Sequence, residues 1–122
     1  MCGIGGILKD GDIQDITINK MILSMSSRGP DAKGFWKDKK DKIAFVHTRL
    51  SIIDLSNNAS QPMHSNSTRY VIVFNGEIYN HKIIRNLLQK ENPKINWKGT
   101  GDTETLVEAI DFWGLDKRKK IY

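Results

Sequence analysis

The sequence predicts an α+β domain in which helices cover β-sheets. A small, apolar segment near the start and two β-branched or aromatic stretches farther along are typical of strands, and three separate segments carry helical spacing of apolar residues. The predicted order is strand, helix, strands, helix, helix, without an internal repeat or linker. At 122 residues the chain has room for at most one domain.

The predicted strands share short apolar runs that turn residues interrupt. Glycine and isoleucine in the first run indicate a buried strand that other backbone or a ligand approaches closely. The stretch from 54 to 69 is rich in Asn, Ser and Pro and is predicted as turns. The strands are residues 2 to 8, 34 to 36, 43 to 53 and 70 to 74, and the last resumes at Ile78-Tyr79 after Asn75-Gly76.

The first helix is predicted over residues 17 to 27. Its apolar residues fall at i, i+3, i+4 and i+7 and include two methionines, which we interpret as core residues and not as part of a cofactor site. Pro30 follows and cannot continue a helix. The face consists of Ile18, Met21, Ile22 and Met25.

Two further helices are predicted in the second half of the chain. Asn80 is a suitable N-cap for the first of them, and Asp102 or Thr103 for the second, which Gly114 should end. The apolar face of the first is Ile83, Ile84, Leu87 and Leu88, and that of the second is Leu106, Ile110 and Trp113.

Composition and charge favour a cytoplasmic protein. The net charge of +5 is concentrated in two lysine-rich runs, residues 37 to 42 and 116 to 120. Neither run is interleaved with aromatic residues, so we expect a solvated loop and tail and no nucleic-acid partner. A single cysteine excludes an internal disulfide, and neither a secretory signal nor a membrane span is expected.

Cys2 is the candidate nucleophile. Removal of Met1 would give this residue a free α-amine, so that one residue carries a thiol with a pKa of about 8.5 and an amine with a pKa of about 7.7 to 8.0. Such an amine can accept the thiol proton at neutral pH, as covalent catalysis requires. Taken alone, a cysteine at position 2 is also explained as incidental.

Six short runs carry a resemblance to a known family. Together and in this order they resemble the glutaminase domain, a class II glutamine amidotransferase, of glutamine-hydrolysing asparagine synthase. The resemblance extends from Cys2 to Gly114 and implies an N-terminal-nucleophile hydrolase fold, an αββα sandwich of mostly antiparallel sheets. The runs are Met1-Cys2-Gly3-Ile4-Gly5-Gly6, Ser27-Arg28-Gly29-Pro30-Asp31, residues 47 to 56, Ser60-Gln61-Pro62-Met63, residues 74 to 80 and Gly101-Asp102-Thr103-Glu104.

The resemblance implies that Cys2 attacks the side-chain amide of glutamine. Asn75 and Gly76 would then stabilise the tetrahedral oxyanion with a side-chain NH2 and a backbone N–H. Without the resemblance, an Asn-Gly pair is more simply a tight turn. Arg28 and Gly29 are expected to support the loop over the nucleophile.

Two residues are candidates for binding the charged groups of the substrate. The guanidinium of Arg49 suits bidentate capture of a carboxylate. The resemblance implies that Arg49 holds the substrate's α-carboxylate and that Asp102 pairs with the α-ammonium. The simpler alternatives are an edge-strand surface arginine and a helix cap. By the same resemblance, Leu50, Ile52 and Glu77 line the substrate pocket.

The three histidines receive no catalytic or metal role. An enzyme that uses its own α-amine as base needs no imidazole, so His47 is predicted to be a structural histidine with its hydrogen bonds satisfied. His64 and His81 have no cysteine or carboxylate at ligand spacing, so no metal site is expected. This domain is also expected to need no cofactor.

The sequence departs from the family at its end. It contains no Ser-Gly-Gly-x-Asp-Ser loop, so the synthetase domain that uses ATP and magnesium is expected on a partner domain or subunit. The glutaminase domain, residues 2 to 114, is expected to be truncated on its C-terminal side and followed by a basic tail, residues 115 to 122. Exposed apolar faces would then favour self-association or marginal stability.

Two alternatives to the asparagine-directed glutaminase stay open. One is an amidotransferase that feeds another acceptor, such as a sugar. The other is a non-catalytic glutamine-binding or regulatory remnant.

Overall fold

The computed structural model describes residues 2 to 38, 40, 42 to 50 and 57 to 116. The chain combines helices with antiparallel strands, which confirms the predicted mixture. The elements in chain order are β1 (Gly3–Leu8), α1 (Asp15–Ser24), β2 (Ala32–Asp38), β3 (Ile43–Arg49), a 3-10 turn (Asn57–Ala59), β4 (Met63–His64), β5 (Val71–Ile72), α2 (His81–Glu91) and α3 (Asp102–Trp113).

The larger sheet has the strand order β1-β3-β2, and both pairings are antiparallel. Gly3 lies opposite Thr48, and Ala32 lies opposite Arg49. The start of β1, the end of β3 and the start of β2 therefore meet at one end of the sheet. This register brings the beginning of the chain next to Arg49.

Helix α1 covers one face of this sheet. Successive strand residues point to opposite faces, so Ala44 and Val46 meet α1 while Phe45 and His47 face the other way. Met21 and Met25 pack against the resulting core, as predicted. Its fully buried members are Ile13, Ile18, Ile22, Ala44 and Val46.

The other face of the larger sheet meets the smaller sheet. Strands β4 and β5 form an antiparallel hairpin in which Met63 pairs with Ile72. The rings of Trp36 on β2 and His64 on β4 are edge to face, with centroids 6.3 Å apart. Helix α3 packs against β4 of the smaller sheet.

Two strand predictions were wrong in detail. Strand β1 is an edge strand whose Leu8 is 80% exposed, because α1 covers only one of its faces. The strand predicted at residues 70 to 74 is only Val71–Ile72, and Tyr79 lies in an exposed turn before α2. Strand β3 ends at Arg49, and the predicted extension through Ile53 falls largely outside the described residues.

Helix α1 also ends earlier than predicted. It stops at Ser24 with Met25 as C-cap, and residues 25 to 28 form turns, so Pro30 is not what ends it. In α2, Ile84 and Leu88 are buried but Ile83 and Leu87 are exposed, contrary to the predicted stripe. Because α2 packs mainly against α3, only a narrow face is covered.

Helices α2 and α3 share a second core. Trp113 closes this core, and its Nε1 donates a hydrogen bond to Glu91 Oε2 at 2.7 Å. Of the predicted face of α3, Trp113 is buried but Leu106 and Ile110 are only half-buried, because α3 packs against both α2 and β4 and buries other residues as well. The buried apolar residues are Ile84, Leu88, Ala109 and Trp113, with Val107 buried in addition.

Helix α3 starts and stops at glycines. Gly101 is its N-cap, so the predicted capping by Asp102 or Thr103 was wrong, and Gly114 ends it as predicted with a positive φ of 79°. Such a φ favours glycine because other residues carry a Cβ that clashes there. Within the described ranges, no helix has the length and apolar character needed to cross a membrane.

Candidate active site

A cleft of about 110 Å³ opens where the end of β3, the Asn75-Gly76 corner and the start of α3 converge. Most of the predicted site residues contribute to its wall. The lining residues are Cys2, His47, Arg49, Leu50, Asn58, Ala59, Gln61, Met63, Phe74, Asn75, Gly76, Glu77, Gly101, Asp102, Thr103 and Glu104.

The half-buried Cys2 side chain is held beside Leu50 at the end of β3. The Leu50 N–H donates to Sγ at 3.4 Å, and the thiol donates to the Leu50 carbonyl at 3.7 Å. The antiparallel β1–β3 pairing creates this contact, because Cys2 directly precedes Gly3, the partner of Thr48. The sulfur is therefore anchored by backbone and still reaches the cleft.

Arg49 presents a largely buried cation to the same cleft. It is the last residue of β3 and only 7% exposed. The Asp31 N–H donates to the Arg49 carbonyl at 2.9 Å, and Pro30 forms an isolated parallel bridge with Arg49. The backbone that carries the guanidinium is therefore fixed by the segment that follows Gly29.

Gly29 lies against the β3 backbone. A Cβ added there would stand 2.3 Å from the Thr48 carbonyl carbon and 2.5 Å from the Arg49 nitrogen. Gly29 thus allows a close approach of two backbone segments next to the cleft. Arg28 is exposed and is absent from the described lining, so only its neighbour has a visible connection to the site.

The Asn75-Gly76 corner begins directly after Phe74. The Phe74 N–H donates to Gln61 Oε1 at 2.6 Å, and the Phe74 ring lies beneath Gly76. Gln61 Nε2 in turn donates to Thr103 Oγ1 at 3.3 Å. One side chain thereby connects the corner to the first turn of α3.

Asp102 is buried at the start of α3. Its Oδ2 accepts the Ile78 N–H at 2.9 Å. A carboxylate in this position is also stabilised by the positive end of the helix dipole. Asp102 therefore joins α3 to the segment after the corner while lining the cleft.

Glu104 is a site residue to which the sequence analysis assigned no role. Its carboxylate accepts backbone N–H groups from Lys98 and Gly99 at 2.9 and 3.1 Å and is 3.4 Å from an Arg85 nitrogen. The Arg85 guanidinium lies 3.8 Å from the centre of the Trp97 ring. The Gly101-Asp102-Thr103-Glu104 run contained this residue, but nothing in the run indicated that its partners precede α3.

His47 departs from the prediction of a fully satisfied structural histidine. It is 1% exposed, and in the part of the chain that the structure describes its Nε2 has no hydrogen-bond partner. Burial lowers the pKa of His47, a backbone hydrogen bond to Phe74 opposes the shift, and the positive charge of Arg49 reinforces it. Burial therefore favours the neutral form of this imidazole.

The cleft brings together seven of the residues predicted for the site. Ile52 lies outside the described residues, and the catalytic and binding roles of all of them stay predictions. Gln61, Thr103 and Glu104 appeared in the quoted runs without an assigned role, because their partners are distant in sequence. The seven residues are Cys2, Arg49, Leu50, Asn75, Gly76, Glu77 and Asp102.

A family model described as a glutamine amidotransferase domain matches residues 1 to 122. The chain belongs to this glutamine amidotransferase family. The resemblance drawn from the six sequence runs is confirmed. The domain is also similar to curated proteins along almost its whole length.

Two of these relatives are asparagine synthetases. The domain is 34% identical to the putative asparagine synthetase [glutamine-hydrolyzing] 2 of Methanocaldococcus jannaschii, with 95% of this chain and 25% of the relative covered. It is 35% identical to asparagine synthetase [glutamine-hydrolyzing] 1 of Bacillus subtilis, with 99% and 19% covered. The amidase chry2 of Gibberella zeae is 29% identical, with 94% and 18% covered. The chain thus spans a quarter or less of the length of these relatives.

Proposed function

We propose that this domain hydrolyses glutamine to glutamate and ammonia through a thioester on Cys2. The observation that carries the proposal is the convergence of Cys2, the Asn75-Gly76 corner and two residues of opposite charge, Arg49 and Asp102, on one cleft. A nucleophile, oxyanion donors and binding groups for an amino acid are thus available together.

The first step is attack of the Cys2 sulfur on the side-chain amide carbon of glutamine. The thiol proton passes to the α-amine that Cys2 gains when Met1 is removed. Collapse of the tetrahedral intermediate breaks the C–N bond, and ammonia leaves with that proton. Water then attacks the thioester, which releases glutamate and restores the thiol.

The negative charge of the tetrahedral intermediate requires fixed donors. The side-chain NH2 of Asn75 and the backbone N–H of Gly76 are the donors that we assign to it, since both residues line the cleft. Removing one such donor typically lowers kcat by about 10²- to 10³-fold. Asn75→Ala is therefore expected to lose activity in that range.

Binding of glutamine would use the charged residues of the cleft. Arg49 is placed to bind the α-carboxylate and Asp102 the α-ammonium, while Leu50, Ile52 and Glu77 complete the pocket. Burial favours these roles, because Arg49 and Asp102 are both 7% exposed and charges in such surroundings attract a ligand more strongly than charges in water do.

We further infer an αββα sandwich of the N-terminal-nucleophile hydrolase type, with the glutaminase domain at residues 2 to 114. Three observations support this architecture: α1 packs on the larger sheet, Trp36 and His64 are in contact between the two sheets, and α3 packs on β4. The similarity to glutamine-hydrolysing asparagine synthetases supports delivery of ammonia to a cytoplasmic synthetase that converts aspartate to asparagine with ATP and magnesium.

Labelling of Cys2 tests the proposal. The protein with Met1 removed should release glutamate from glutamine, and a glutamine-mimicking diazoketone should alkylate Cys2 alone, as located by mass spectrometry. A form that keeps one extra N-terminal residue should do neither, and Cys2→Ala should be inert. Glutamine binding without labelling or turnover would favour the non-catalytic alternative. Equal turnover by processed and unprocessed forms would refute the α-amine as base.

A further inference from the structure

Phe74 occupies an unusual position in the backbone of the site. Strand β5 ends at Ile72, so Phe74 has left the sheet, and the oxyanion corner that we propose begins one residue later. Its backbone nevertheless makes hydrogen bonds with two side chains. The N–H donates to Gln61 Oε1 at 2.6 Å, and the hydrogen bond between His47 and the Phe74 backbone occupies the other side.

The two side chains that bond Phe74 come from different parts of the fold. His47 lies on β3, two residues before Arg49, and Gln61 lies in the loop before β4. Gln61 also reaches Thr103 on α3. Phe74 is therefore connected to the strand that carries Arg49 and to the helix that carries Asp102.

We propose that His47 and Gln61 form a clamp on Phe74 that positions the Asn75-Gly76 corner, an inference that rests on the proposed glutaminase function. His47 and Gln61 are positioning residues, because their hydrogen bonds go to Phe74 and not to the reacting atoms. Errors of about 1 Å in the placement of catalytic groups can cost about 10²-fold in rate, so a corner outside the sheet needs such support.

The burial of His47 supports this role. Since Nε2 has no partner among the described residues and the bond to Phe74 raises the pKa of His47, we assign the Nδ1 N–H as its donor and the Phe74 carbonyl as its acceptor. The imidazole is 1% exposed on the face of β3 that looks away from α1, towards the cleft. A leucine at position 47 would fill much of the same space but could not donate a hydrogen bond to the Phe74 carbonyl. This substitution therefore removes the hydrogen bond while largely keeping the packing.

Paired variants separate the hydrogen bonds from packing. His47→Leu removes the donor, whereas His47→Asn retains an N–H near the position of Nδ1. Gln61→Leu removes the acceptor, whereas Gln61→Glu retains it and loses the donor to Thr103. His64→Leu is the matched control, because His64 is an exposed histidine that does not line the cleft.

The clamp predicts a specific kinetic pattern in the processed protein. His47→Leu and Gln61→Leu should each lower kcat about 10- to 100-fold with KM changed less than about threefold, because the oxyanion donors act in the transition state. His47→Asn should recover most of the lost kcat. Leucine and asparagine variants of His47 that are equally impaired, or equally active, would overturn the proposal.

Hydrogen exchange gives a readout that does not depend on turnover. Exchange of the Phe74 amide should accelerate about tenfold in Gln61→Leu, the effect of losing one net hydrogen bond, and remain unchanged in His64→Leu. Unchanged exchange in Gln61→Leu would overturn the clamp even in an active enzyme. If the wild-type protein neither turns over glutamine nor is labelled at Cys2, the proposed function is refuted. The exchange rate of the Phe74 amide then still shows whether Gln61 restrains Phe74. Should His47→Leu not fold, the Gln61 pair decides the outcome.

Discussion

Replacing Gly29 with alanine tests whether close backbone contact fixes the end of β3. The added Cβ would lie 2.3 Å from the Thr48 carbonyl carbon, 2.4 Å from its oxygen and 2.5 Å from the Arg49 nitrogen. Ordinary contacts begin at 3.4 Å. The two backbone segments would therefore have to separate by about 1 Å, since no side chain can rotate away.

The expected cost is large for a single methyl group. Overpacking in protein interiors typically destabilises by about 1 to 3 kcal/mol, and the upper part of this range applies because all three opposing atoms are backbone. The shift would also move Arg49, so we expect kcat/KM for glutamine to fall together with stability. Gly6→Ala is the matched control, because its Cβ would meet Phe45 at an ordinary 3.4 Å.

Urea unfolding of both alanine variants measures the difference. Gly29→Ala should lower the free energy of unfolding by about 3 kcal/mol, and Gly6→Ala by less than about 1 kcal/mol. Equal stabilities would refute the argument that the 29–31 segment is held tightly against β3. Labelling of Cys2 by the diazoketone, measured in the same samples, reports whether the end of β3 has moved.

Two further predictions concern buried polar groups. Asp102→Ala should destabilise the protein by about 1 to 3 kcal/mol, because the Ile78 N–H loses its acceptor. Urea unfolding checks this, and exposed Asp10 mutated to alanine should change stability little. His47 should make stability pH-dependent. Because its pKa in the folded protein lies below the ordinary value of about 6.5, the unfolded chain binds the proton more readily, so stability present above about pH 6.5 is lost as the pH falls towards the lowered value. Unfolding curves between pH 7 and 5 should show a smaller loss for His47→Asn, and equal slopes would contradict this assignment.

Local sequence patterns predicted which segments form helices better than they predicted which residues of those helices are buried. The spacing of Ile18 and Ile22 identified α1 and its buried face, and Gly114 identified the end of α3. The exposure of Ile83 and Leu87 could not be predicted, because it depends on how little of α2 the rest of the chain covers. Periodicity describes one helix and contains no information about what packs against it.

In the candidate site, too, the sequence predicted individual residues but not the contacts between distant parts of the chain. Cys2, Arg49 and Asp102 were found by their motifs and do line one cleft. The bridge from Phe74 through Gln61 to Thr103 was not predicted, because its partners are 13 and 42 positions from Gln61 and no local pattern encodes such contacts. The orphaned Nε2 of His47 likewise appears only once the strands are assembled.

The register of β1 has a practical consequence for handling this protein. Because Gly3 is already paired with Thr48, Cys2 directly adjoins the ordered edge of the sheet. If Cys2 is the nucleophile, as we propose, an affinity tag added directly before it would keep its amine in a peptide bond and lie beside the cleft that Cys2 lines. Under the proposed function, tags therefore belong away from Cys2, and removal of Met1 by an aminopeptidase would make each new copy competent.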